Sequence, residues 1–226
     1  IRAEFECIEI DSGDPSLVTP QIAGKIRGIA AMTVISADLM RALPKLEIVA
    51  NFGVGYDAVD AGHAGANGIM VTNTPDVLTD EVADTTIGLL LNTVRELSAS
   101  EAYMRAGHWT GKGNYRLTPL TMRGRTVGIY GMGRIGQAIA RRLEPFGVGI
   151  HYHNRRRADG LAYTFHPTLV ELARAVDTLI IVVPGGEATR KAVNGNVLAA
   201  LGPQGVLINI GRGSTGDEEA LIAAMH

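Results

Sequence analysis

Three glycines, Gly131, Gly133 and Gly136, lie in the run TVGIYGMGRIG at positions 126–136. Their spacing suits a backbone that must come close to a phosphate. Gly131 would permit a tight turn. Gly133 would let N–H groups at a helix start approach a pyrophosphate, and Gly136 would let that helix pack close to the preceding strand. Three glycines alone are a weak signal. They gain meaning because apolar VGIY precedes them and the helical pattern QAIARRLEPFG follows. The plainer alternative is an ordinary Gly-rich strand–helix turn.

In a dinucleotide site of this kind, an acid roughly 20 residues further on accepts a hydrogen bond from the ribose 2′-OH. Here Asn154 stands 18 residues after Gly136, followed by Arg155, Arg156 and Arg157. An amide removes the charge that would repel a 2′-phosphate, and guanidinium forks pair with phosphate. The expected coenzyme is therefore NADP(H) in preference to NAD(H). A solvated basic turn is the alternative reading of the arginines.

The elements that must position these groups alternate between short aliphatic runs and helical stretches, which argues for βαβ units and parallel sheets. The predicted strands are 5–10, 28–31, 48–51, 70–72, 126–130, 149–152, 178–182 and 205–209. Residues 1–73 form a first α/β domain and 74–226 a second. A long apolar helix over 79–97, capped by Thr79 or Asp80, would make the crossover, and 106–125 would be a surface connection. Asp80, Glu81 and Asp84 would favour the positive end of that helix.

Composition sets the outer limits. The 226 residues carry a formal net charge of −2, which argues against nucleic-acid binding by bulk charge. With 46% hydrophobic and 19% charged residues, a packed core is expected rather than disorder. Aromatics are only 5%, so aliphatic side chains must fill that core. A single cysteine, Cys7, excludes an intramolecular disulfide framework and a multi-cysteine metal site, and fits a reducing, cytoplasmic setting. No membrane partner is expected, since no run has the roughly 18 apolar residues of a span. The start, IRAEFECIEI, has no signal-peptide character and reads as a strand under way. The end, DEEALIAAMH, reads as a helix stopping mid-pattern, so a cut or undescribed end is expected on both sides.

Five segments together resemble one family: NFGVGYDAVD (51–60), NTPDVLTDEVADTTIGLLL (73–91), GMGRIG (131–136), VVPGGEAT (182–189) and NIGRG (209–213). The chain resembles the D-isomer-specific 2-hydroxyacid dehydrogenases, on the side of the NADP-dependent glyoxylate/hydroxypyruvate reductases, over almost its whole length. The resemblance implies a Rossmann-type doubly wound sheet plus a second, flavodoxin-like α/β domain, both incomplete here. It implies hydride transfer from NADPH to a small 2-keto acid in a cleft between the domains, giving a D-2-hydroxy acid. A homodimer is expected, with the 79–97 helix as its candidate surface.

By the same resemblance, N–H groups at Val54 and Gly55 hold the substrate carboxylate, as consecutive amides in a turn can. Arg212, just after the apolar strand VLINI, would grip the keto acid and stabilise charge on its oxygen as hydride arrives. Flanking Gly211 and Gly213 leave room for that approach. Thr79 and Thr189 would bond phosphate or ribose. Val183 and Pro184 would line the adenosine side, Ile210 and Gly211 would lie near the nicotinamide, and Met132, Arg134 and Ile135 would supply loop contacts.

The family's acid/base His and its orienting Glu fall downstream of the NIGRG motif, and only 14 residues follow Arg212. None of the six histidines stands in that position, so this piece alone is expected to be inactive while the complete protein is an enzyme. Two alternatives remain open at this point. One is a relative acting on phosphoglycerate, formate or phosphite. The other is a nonenzymatic dinucleotide sensor resembling corepressors on this scaffold.

Overall fold

The computed structural model describes residues 4–111 and 113–225. The chain divides into two compact units, Ile1–Val77 and Leu78–His226.

In the first unit, strands β1 (Gly28–Ala31), β2 (Ile48–Asn51) and β3 (Met70–Thr72) form a parallel sheet in that order. Helices α1 (Pro20–Ala23), α2 (Ala37–Arg41) and α3 (Ala61–Ala66) accompany it. Ser36 caps α2 and Asp60 caps α3, each side chain accepting an N–H that the helix start leaves unpaired. The core is aliphatic, with Leu39, Val49 and Ala64 essentially inaccessible.

One predicted strand is absent. Residues 5–10 form no ladder, and Phe5, Ile8 and Ile10 are exposed. The apolar composition suggested a strand, but a strand needs a hydrogen-bonding partner and a face to bury. Residues 8–13 instead wall a cavity of ≈ 370 Å³ together with β1, Ile22, Leu39 and Leu43.

The second unit opens with α4 (Thr79–Arg95) and α5 (Leu97–Arg105), separated at Glu96. The single helix expected over 79–97 is thus two. Glu96 is left-handed (φ 50°), its carboxylate taken by the Tyr115 hydroxyl at 2.7 Å and the Arg116 guanidinium at 2.6 Å. Asn92 Oδ1 accepts the Ser98 N–H and so starts the second helix. The expected cap also differs: Leu78 is the capping position, with no side-chain bond, and Thr79 is the first helical residue. Asp80 and Asp84 pair with Arg142 and so tie two helices together. Of the three acids only Asp80 and Glu81 lie in the first turn, since Asp84 is the sixth helical residue, beyond the reach of the positive end.

Five parallel strands follow: β4 (Thr126–Tyr130), β5 (Gly149–His153), β6 (Thr164–Phe165), β7 (Thr178–Ile181) and β8 (Val206–Asn209), in the order β6-β5-β4-β7-β8. The two-residue edge strand β6 was not expected. Helices α6 (Arg134–Leu143), α7 (Leu169–Ala175), α8 (Gly195–Leu201) and α9 (Glu218–Ala224) complete the unit. α4 lays Ala83, Thr86, Leu90 and Val94 into the core shared with α6. The strand order reverses between β4 and β7, and ligands of open α/β sheets bind beyond the carboxyl ends of strands at such a point.

The opposite edge of the sheet is clamped. Arg125, only 7% exposed, donates to Thr178 Oγ1 at 2.8 Å and to the Asp177 carbonyl at 3.0 Å, and pairs with the Asp177 carboxylate. The other Asp177 oxygen accepts the Thr126 N–H, so one ion pair joins the starts of β4 and β7.

Candidate functional site

At the carboxyl end of β4 the chain turns at Gly131 with φ 108°, a conformation that favours glycine. A Cβ there would lie 3.0 Å from Val183 Cγ1 and 3.1 Å from the Val183 nitrogen. At Gly136 a Cβ would stand 2.2 Å from the Gly131 carbonyl oxygen, so α6 packs onto the turn only without a side chain. Gly133 is the opposite case: nothing lies within 4 Å of its missing Cβ. It is the capping residue of α6, with no side chain satisfying the helix start. The first N–H groups of a helix lack internal partners and carry partial positive charge. Two glycines therefore close the turn, and the third leaves an open cradle over a helix start that no side chain caps. A dinucleotide pyrophosphate fits that arrangement. Arg134 and Ile135 form the first turn of α6, and Met132 is buried beneath the loop.

The loop is braced from β5. Met132 N–H donates to Asn154 Oδ1 at 2.7 Å, and Gly131 N–H donates to the His153 carbonyl at 3.0 Å. Asn154 thus has a structural task besides the absence of charge that sequence reasoning gave it. Arg155, Arg156 and Arg157 follow, all exposed. Among the described residues no carboxylate pairs with any of the three. Arg155 is close enough to Tyr130 to oppose the upward push that burial gives its phenol.

The ends of β7 and β8 close the same crevice. Val183 faces Gly131 on one side, and on the other its carbonyl would be 2.6 Å from a Cβ at Gly211. Ile210 N–H donates to the Ile181 carbonyl at 3.1 Å, continuing the ladder past β8. Arg212, at this carboxyl edge, is exposed. Asn209 was overlooked in the sequence yet shapes the turn: Oδ1 accepts the Gly211 N–H at 3.0 Å and Nδ2 donates to the Arg212 carbonyl at 3.0 Å. The buried Thr215 hydroxyl donates to the same carbonyl at 2.6 Å. Thr189 donates its hydroxyl proton to the Pro184 carbonyl at 2.6 Å, closing its own turn and leaving only acceptor capacity for a ligand hydroxyl. Thr79, half-buried, lies in the first turn of α4.

The first unit holds a separate anion-binding candidate, the loop Phe52–Tyr56. Asn51 Nδ2 donates to the carbonyls of Gly53 (3.2 Å) and Gly55 (3.1 Å), and Asn73 Nδ2 donates to that of Val54 (2.8 Å). Thr74 N–H also takes the Gly53 carbonyl at 3.0 Å. In a trans peptide the C=O and the following N–H point opposite ways. Pulling the Gly53 and Val54 carbonyls toward these donors turns the Val54 and Gly55 N–H groups away from them. Among the described residues neither N–H finds an acceptor. The asparagines that open NFGVG, NTPD and NIGRG were quoted in the motifs without a role; each braces a loop.

Three histidines cluster beside β5 and β6. His151 Nδ1 lies 2.9 Å from His166 Nε2 with the rings stacked, and His153 Nδ1 lies 2.9 Å from the His166 carbonyl. Burial, and secondarily His166, lower the His151 pKa. Among the described residues no group of three side chains could hold a metal ion, and no helix is long and apolar enough to cross a membrane.

Residues 87–226 match the family described as "D-isomer specific 2-hydroxyacid dehydrogenase, NAD binding domain". Glyoxylate/hydroxypyruvate reductase A of Arabidopsis thaliana is 44% identical over 216 residues, covering 95% of this chain and 68% of that protein. Hydroxyphenylpyruvate reductase of Plectranthus scutellarioides is 47% identical over 189 residues, covering 84% of this chain and 60% of that protein. A crystal structure of the NADPH-dependent glyoxylate/hydroxypyruvate reductase of Sinorhizobium meliloti, in complex with NADP and malonate, superposes with a TM-score of 0.95 at 60% identity. It covers 97% of this chain and 69% of the Sinorhizobium one.

Proposed function

The chain belongs to the D-isomer-specific 2-hydroxyacid dehydrogenases, and from that membership we propose that its protein uses NADPH to reduce glyoxylate, hydroxypyruvate or a similar small 2-keto acid to the D-2-hydroxy acid. The observation that carries the coenzyme choice is the end of β5. An amide bound to the glycine loop occupies the acid's place, and three exposed arginines follow, with no carboxylate pairing with them among the described residues. That arrangement supports NADP(H) over NAD(H).

When bound, the coenzyme supplies the hydride. The residues of the second unit supply placement and charge. Gly131, Met132, Gly133, Arg134 and Ile135 present the helix-start donors to the pyrophosphate. Asn154, Arg155 and Arg156 receive the ribose phosphate. Val183, Pro184, Ile210 and Gly211 line the crevice, with Thr79 and Thr189 at its rim. Hydride addition turns a carbonyl into an alkoxide, and a guanidinium stabilises that charge as it forms. Arg212, on a turn braced by Asn209 and Thr215, is the residue assigned to it. In the first unit, the Val54 and Gly55 N–H groups are assigned to the substrate carboxylate. The alkoxide also needs a proton donor, which the resemblance puts beyond residue 226.

The protein acts in the cytoplasm as a homodimer. The exposed single Cys7 fits a reducing compartment. The face of α4 that carries Ala83, Leu90 and Val94 is buried within its own unit, so within 79–97 the exposed Leu89 and Leu97, with Met104, Trp109 and Leu117 beyond, make up the candidate dimer surface. Light scattering tests this directly.

Steady-state assays of the complete protein test the function. NADPH with glyoxylate should turn over, and Arg212→Ala should cost roughly 10²–10³-fold in kcat, as loss of an oxyanion-stabilising donor does. Full activity in that variant would remove Arg212 from the reaction. The 226-residue chain alone should bind NADPH without turnover.

A further inference from the structure

Two hydrogen-bonded posts flank the arginine run. Asn154 is fixed to the glycine loop through Met132 N–H. At the other end, Ala158 is held by a residue no motif contains. Tyr152 of β5 is completely buried, its ring beside Phe165. Its hydroxyl accepts the Ala158 N–H at 3.1 Å and donates to the Ala158 carbonyl at 3.4 Å. A buried phenol needs a hydrogen-bonding partner, and here both of its bonds go to one backbone residue at the end of an exposed turn. Phenylalanine would fill the same core space. The hydroxyl therefore serves the turn rather than the packing.

Between the posts stand only Arg155, Arg156 and Arg157, three long side chains that lose rotamer freedom when they engage a ligand. A turn fixed at both ends has less backbone freedom left to lose when it binds, and pre-organisation of that kind raises affinity.

We propose that Tyr152 is a positioning residue for coenzyme selection: its hydroxyl grips Ala158 and so holds Arg155–Arg157 in the one curvature that presents their guanidiniums to a 2′-phosphate. The proposal rests on the NADP(H) reading above. It separates the charge that recognises the phosphate, which belongs to the arginines, from the rigidity that makes the charge effective.

The test uses adenosine 2′,5′-bisphosphate and 5′-AMP, which differ only by the 2′-phosphate, titrated calorimetrically into the 226-residue chain. The wild type binds the bisphosphate more tightly. Tyr152→Phe loses about three- to tenfold of that preference, the worth of one net hydrogen bond, with 5′-AMP affinity unchanged. Should Tyr152→Phe fail to fold, Ala158→Gly decides: it keeps both backbone groups but frees the turn, and about a threefold loss of preference is expected from added backbone freedom. A preference unaltered in the variant, or equal weakening of both ligands, overturns the positioning role. A wild type without preference overturns the coenzyme reading instead.

Discussion

Gly133 and Gly136 separate binding from folding when each is replaced by alanine. At Gly136 the new Cβ would sit 2.2 Å from the Gly131 carbonyl oxygen, more than 1 Å inside contact distance, and the obstacle is backbone. Either α6 or the turn must withdraw by about 1 Å, and overpacking of this kind costs ~1–3 kcal/mol. Higher helix propensity returns up to ~1 kcal/mol. Because the obstacle is backbone, the cost falls at the upper ~2–3 kcal/mol of that range, and the net loss is ~1–2 kcal/mol, or a Tm lower by ~2–8 °C for a unit of this size. The same withdrawal moves the helix-start donors, and losing one charge-assisted bond at ~1.5–3 kcal/mol weakens NADPH binding at least about tenfold. At Gly133 nothing lies within 4 Å of the missing Cβ, and the backbone (φ −83°, ψ −158°) is open to alanine. Gly133→Ala should therefore melt within about 3 °C of wild type, the small cost of alanine at a cap. It should still lose NADPH, because the methyl enters the space assigned to phosphate. Differential scanning fluorimetry and calorimetric titration read the two effects. Wild-type affinity in Gly133→Ala, or a wild-type Tm in Gly136→Ala, would refute the reasoning.

Arg125→Ala should cost ~2–3 kcal/mol by removing the buried guanidinium of a pair, at or below the lower end of the usual cost because Asp177 reaches solvent. NADPH affinity should hold, since the clamp is at the far edge of the sheet, and denaturant unfolding with a parallel titration checks both. In the complete enzyme, Asn73→Ala should raise KM for glyoxylate about three- to tenfold, the worth of one hydrogen bond, and leave KM for NADPH alone. An unchanged glyoxylate KM would detach that loop from substrate binding. Burial lowers the His151 pKa below its ordinary 6.5, so the unfolded chain takes up the proton first as pH falls. The stability this residue contributes is complete above about pH 6.5 and is lost as pH drops through the lowered value. Tm should fall between pH 7.5 and 5.5, and less steeply in His151→Gln; an equal slope would assign the loss to other groups.

The central strands β4 and β7 were legible because both of their faces are buried, so runs such as TLIIVV read as continuous apolar stretches. The glycine loop was legible because three spaced glycines, a strand and a helix all had to agree. What escaped the sequence depends on long-range partners. The break at Glu96 needs Tyr115 and Arg116, 19 and 20 residues away. The segment 5–10 had strand-like composition but no ladder to join. Asn51, Asn73 and Asn209 stood in the quoted motifs, yet an amide that braces a carbonyl cannot be told from a surface asparagine until the loop is folded. Tyr152 looked like one more apolar residue of a strand, because the hydroxyl's partner lies on the far side of a turn.

The most direct measurement is the affinity of NADPH against NADH for wild type and the Arg155→Ala/Arg156→Ala double variant. Each exposed guanidinium contributes ~1–1.5 kcal/mol to the 2′-phosphate, so the wild type should favour NADPH by about thirtyfold or more, and the double variant should lose most of that preference. Equal affinities in the wild type, or an undiminished preference in the variant, would contradict the assignment of the end of β5 to the ribose phosphate.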